Sequence, residues 1–109
     1  MNQKEVRNYS AVKSFEVLRE LGKIKKKTEF SAYYFGRNAD YFSMILRSGG
    51  RKVSLGALHR LSKRLGCEIE NETNGQARKK LSACVDSLQA EIISRLDRQA
   101  SLYRTREKL

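Results

Sequence analysis

The residues of this 109-residue chain best suited to chemistry are its cations. Lys27, Arg37, Arg47, Arg51 and Lys52 stand within 26 positions of one another, interleaved with Thr28, Asn38, Tyr41 and Ser43. Guanidinium and ammonium groups among hydroxyls and amides suit phosphate oxygens, and arginine or asparagine can also form paired hydrogen bonds with base edges. Catalytic chemistry has no comparable foothold. His59, between Leu58 and Arg60, reads as an ordinary half-exposed side chain. Cys67 and Cys84 lack metal-ligand spacing, so both are expected as reduced thiols, Cys67 at a small core position. Glu68 and Glu70 alternate around Ile69 and make no acid–base pair. Gly49-Gly50-Arg51-Lys52 lacks the glycine spacing and terminal Lys-Ser/Thr of a P-loop. The expectation is therefore no enzyme, no cofactor and no metal.

The formal net charge is +11. Residues 1–27 carry +5, residues 28–70 carry +3 and residues 71–109 carry +3, so the excess is not that of a basic tail. A basic folded domain most often meets a polyphosphate. No apolar run is long enough to span a membrane and no signal-peptide core follows Met1, so no membrane partner is expected and the chain is read as cytoplasmic.

The elements that would position these cations are helices. Proline is absent, strand-type alternation is hard to find, and the length suits one small domain with an appendage. Residues 9–26 place Tyr9, Val12, Phe15, Leu18, Leu21 and Ile24 on one helical face, with Asn8 or Ser10 as cap and Met1 to Asn8 as an arm. Thr28 is expected to cap helix 2 and Gly36 to end it, because glycine takes a left-handed C′ conformation at no steric cost. Asn38 is a good cap for helix 3, Ala39 to Arg47, with Phe42, Ile45 and Leu46 as its apolar face. After a loop over residues 48–53, Ser54 caps helix 4, which carries Leu55, Leu58, Leu61 and Leu65 and is expected to stop at Gly66. Polar residues ending in Asn74-Gly75 read as a linker. The last helix, Gln76 to Arg106, would be about 45 Å long. The organisation is then a helix-turn-helix domain over 1–70, a linker over 71–75 and a C-terminal helix over 76–109, all-α throughout.

A helix-turn-helix needs a small residue in its first helix, a glycine at the turn and apolar residues in the second, so that the first braces the second at an angle fitting the major groove. Ala32, Gly36, Phe42 and Ile45 have the required separations of four, six and nine residues. On the runs AYYFGRNADYFSMILR (32–47) and RKVSLGALHRLSKRLGC (51–67), residues 28–66 resemble the Cro/C1-type (Xre-like) helix-turn-helix regulators of phages and other mobile elements. The chain departs from that pattern at Ser31, usually leucine, for which Phe30 would substitute. It departs again at Thr28, nearest to the usual glutamine of helix 2, and at Leu46, commonly glutamate.

The resemblance implies that helix 3 enters the major groove of double-stranded DNA. Its outer face would carry Ala39, Asp40, Ser43, Met44 and Arg47, with Asn38 at the tip. Arg47 would read guanine or clamp a phosphate, Asn38 contact adenine or simply cap, and Met44 or Ala39 touch a thymine methyl. Asp40 would accept from cytosine or serve as a first-turn charge on the helix dipole. Tyr41 would reach a phosphate or pack. Lys27, Thr28, Arg37, Arg51 and Lys52 would grip phosphates.

Leu81, Val85, Leu88, Ile92, Leu96, Ala100 and Tyr103 form a stripe on the last helix that a small domain cannot cover, so a homodimerisation helix is expected, with folding back on the domain as the alternative. The functional expectation is a DNA-binding transcriptional regulator, a repressor on a palindromic operator. The alternative is a protein–protein inhibitor or adaptor on the same scaffold, anti-CRISPR-like, meeting its partner through the C-terminal helix.

Overall fold

The computed structural model describes the backbone of residues 9–47 and 53–108, and the side chains of residues 10–47 and 53–100. The arm expected over 1–8, the loop with Arg51 and Lys52, and the Tyr103 side chain lie outside them. The described chain is all-α. In order come α1 (Tyr9–Glu20), α2 (Lys27–Glu29), which passes directly into a π-helical turn (Phe30–Tyr34), α3 (Tyr41–Arg47), α4 (Leu55–Asn71) and α5 (Gly75–Lys108).

Helix α1 ends six residues before the expected boundary. Gly22 takes φ 76° at C′, Lys23 N–H donates to the Leu18 carbonyl and Gly22 N–H to that of Arg19, which is a Schellman closure. Ser10 is not its cap; buried within α1, its hydroxyl donates to Glu91 of α5. Thr28 does not cap α2 either, being exposed in its first turn. Glu29 does that work: its Oε1 accepts from Lys25 N–H at 2.7 Å and Lys26 N–H at 3.1 Å. These bonds hold the Glu29 carboxyl below its ordinary value.

The core forms around Phe30, whose ring centroid lies 4.8 Å from Phe42, 4.9 Å from Phe35 and 5.3 Å from Phe15. Leu18, Ile45, Leu58, Leu61, Leu65, Leu81 and Leu88 complete it. Helix α4 opens as expected, with Ser54 Oγ accepting from Ala57 N–H at 3.1 Å, but it runs five residues past Gly66. A mid-helix glycine costs about 1 kcal/mol, and the last turn offsets this because Ile69 packs on the core while Glu68 accepts from the Tyr34 hydroxyl at 2.9 Å. Cys67, expected inside, is exposed on this extension. Cys84 is buried, and burial pushes its thiol up.

The expected linker contracts to Glu72–Asn74, in which Asn74 Oδ1 caps α5 through Ala77 N–H at 2.9 Å. Helix α5 then turns back along α4 and α1. Leu81 and Leu88 are fully buried, and Val85 and Ile92 pack partly buried against the same core. The first half of the expected dimerisation stripe is therefore part of the protein's own interior. Only beyond Ile92 does α5 outrun its cover, with Ile93 55% and Leu96 49% exposed. Arg95 fixes its register: Nη2 meets Glu91 Oε2 at 2.5 Å and Nη1 donates to the Val53 carbonyl at 2.5 Å.

Candidate nucleic-acid interface

The brace between α2 and α3 is built from Ser31. Its buried hydroxyl donates to the Lys27 carbonyl at 3.0 Å and accepts from Phe42 N–H at 2.9 Å. It thereby ties the first helix to the start of the second and satisfies a buried donor. Ala32, the residue expected there, is exposed. The shift follows from the π-turn. Arg37 N–H reaches back six residues to the Ser31 carbonyl, one more than the five spanned by Lys23 and Leu18 at the end of α1. One extra residue is thus accommodated before the turn glycine, and the small interior position moves from Ala32 to Ser31. Gly36 has φ 66° and ends the turn as expected.

Helix α3 is anchored by Phe42 (0% exposed) and Ile45 (1%). Leu46, assigned to that apolar face, is instead 38% exposed. With Phe42 and Ile45 facing inward, Ala39, Asp40, Met44 and Arg47 are exposed, and Ser43 and Tyr41 are partly covered. Helix α3 begins at Tyr41 and not at Ala39, so Asn38 does not cap it directly but forms a turn ahead of it: its Oδ1 accepts from Asp40 N–H at 3.1 Å, and a base contact from it would come through Nδ2. Tyr41 packs edge-on against Phe35, with ring centroids 5.1 Å apart.

Arg37 is held at the junction of three elements. Its guanidinium carbon lies 5.4 Å from the Tyr41 ring centroid and its Nη2 donates to Ser54 Oγ at 3.3 Å. Lys27 and Thr28 are exposed at the start of α2. Of the expected interface residues, the structure therefore brings Arg37, Asn38, Ala39, Asp40, Tyr41, Ser43, Met44 and Arg47 onto one helix and its preceding turn.

Sequence reasoning gives helix α4 but not its place at this site. Arg60 lies across Gly36: a Cβ there would stand 2.5 Å from its Nη1 and 2.7 Å from its Cδ. One turn on, the guanidinium carbon of Arg64 sits 5.4 Å from the Tyr34 ring centroid. Tyr34 is itself pushed up to about 12 by burial and by its hydrogen bond to Glu68. The available signal was charge partition by element. Residues 21–71, from the end of α1 through α4, carry eleven basic side chains against four acidic ones, so +7 of the +11 lies there.

A sequence family described as a family of unknown function (DUF6626) matches residues 13–106. The chain belongs to that family. The match runs from α1 into the last turns of α5, so it takes in the C-terminal helix as well as the helices before it. No curated protein and no solved structure matches the chain. Among the described residues no group of three His, Cys, Asp or Glu side chains could hold a metal ion, and no helix is long and apolar enough to cross a membrane.

Proposed function

We propose that this protein is a sequence-specific DNA-binding regulator that inserts α3 into the major groove. The observation that carries the reading is the mounting of α3. Ser31, Phe42 and Ile45 fix its inner side, while Ala39, Asp40, Met44 and Arg47 stay exposed within the segment that holds most of the positive charge. An exposed helix face offering one arginine among small and apolar groups suits base edges better than it suits bulk phosphate. The Cro/C1-like sequence runs support the same reading. We further propose a cytoplasmic homodimer on a partly palindromic operator, joined through the second half of α5, and repression by occlusion of a promoter.

Arg47→Ala tests it. Loss of about 1–3 kcal/mol on the selected site and little on random duplex is expected if Arg47 reads a base. Equal loss on both would make it a phosphate contact. A second reading, a protein–protein adaptor, draws on the exposed apolar groups Met44, Leu46, Ile93 and Leu96. In that case no duplex binds preferentially.

A further inference from the structure

The outer face of α4 is cationic, and groove reading by α3 does not use it. Arg60 and Lys63 are exposed, Arg64 is half exposed, and no acidic residue occurs between Asp40 and Glu68. Arg64 is partly neutralised by Glu68, whose Oε2 lies 4.0 Å from its Nε. Among the described residues no carboxylate pairs with Arg37, Arg60 or Lys63. Position adds to charge. Arg60 is laid over Gly36, the residue before Arg37, and Arg37 in turn reaches Ser54 at the start of the same helix. Arg37 and Arg60 thus both lie at the turn that carries α3, and Lys63 continues the line by about one helical turn, or about 5 Å, along α4. A solvated surface helix would more commonly intersperse acidic partners at i,i+4 spacing. At four residues either side of Arg60 and Lys63 stand Gly56, Arg64, His59 and Cys67, none of them acidic.

We propose that Arg60 and Lys63, continuous with Arg37, form a second phosphate-binding face that grips the DNA backbone beside the groove occupied by α3. The proposal rests on the DNA-binding reading above and adds to it a sequence-independent contact on a different helix. Gly36 then has two roles: it supplies the left-handed turn conformation, and it leaves the space in which the Arg60 side chain lies.

The test uses the full chain and a random-sequence duplex across a salt series. Each lost phosphate contact lowers the slope of log K against log salt by about 0.9. Arg60→Gln/Lys63→Gln should therefore lower the slope by about 2 and weaken binding about tenfold near physiological salt. The control Arg78→Gln/Lys79→Gln removes the same charge from exposed positions in the first half of α5 and should leave the slope unchanged. If Arg60→Gln disturbs the turn and unfolds the protein, Lys63→Gln alone must still lower the slope by about 1. Equal effects of the two double variants, or none, overturn the proposal. An Arg47→Ala loss specific to the selected site, alongside a silent α4 variant, would overturn this inference while leaving the DNA-binding reading intact. Absence of duplex binding by the unaltered protein would overturn both.

Discussion

Ser31 concentrates the structural role of a single side chain. Its hydroxyl donates to a carbonyl in α2 and accepts from an amide in the first turn of α3, the second bond buried from water. Ser31→Ala leaves the Phe42 N–H buried without its acceptor, which costs about 1–3 kcal/mol. Chemical denaturation should read that loss, and α3 should lose order first by amide exchange. Tyr34 makes a second prediction. Its hydroxyl donates to Glu68, and its pKa is raised from 10.0 to about 12 in the folded protein. The folded state therefore holds the Tyr34 proton more tightly than the unfolded chain does. The stability this confers is complete below pH 10 and is lost as pH rises toward about 12. Lys23, raised by its hydrogen bond to Glu72, adds to the decline in the same alkaline range. Tyr34→Phe should flatten that part of the stability profile, and an ultraviolet titration should show one tyrosine ionising about two pH units late.

At the scale of elements, the glycines separate into those that end helices and those that do not. Gly22 and Gly36 have positive φ and terminate α1 and the π-turn. Gly66 is interior to α4, and nothing lies within 4 Å of a Cβ placed on it. Gly66→Ala should stabilise the protein by about 0.5–1 kcal/mol, seen as a higher denaturation midpoint. Gly36→Ala should destabilise it, through the strained φ and the collision with Arg60. Helices α3 and α4 were legible because Ser54 is a good cap and Phe42, Ile45, Leu58, Leu61 and Leu65 repeat at helical spacing. The sequence could not show that Gly66 is passed over, since tertiary contacts of Ile69 and Glu68 decide it. Nor could it show the π-turn, because Ser31 and Ala32 are equally small and only the chain path selects between them. Leu46 was misplaced for a related reason: α3 has seven residues, and so short a helix buries a narrower stripe than the pattern implies. Arg60 was invisible until folding laid α4 beside the turn.

At the scale of the molecule, α5 sets the shape. Its 34 residues reach about 51 Å, close to the longest dimension of 53 Å. Its periodic stripe was legible, but periodicity gives a face and not what covers that face. Leu81 and Leu88 close the protein's own core, while Ile93 and Leu96 stay exposed, where the proposed homodimer would join. Ile93→Glu/Leu96→Glu should therefore yield a folded monomer by sedimentation, with cooperative binding to paired half-sites lost. Leu88→Ala should instead lower stability by about 2–5 kcal/mol whatever the oligomeric state. The measurement that bears most directly on the whole account is binding of the intact protein to the DNA flanking its own gene, compared with random duplex over a range of salt. A preference of about a thousandfold that persists near physiological salt, with two protomers on each site, is expected. Equal, weak binding to both duplexes that vanishes as salt rises would contradict it.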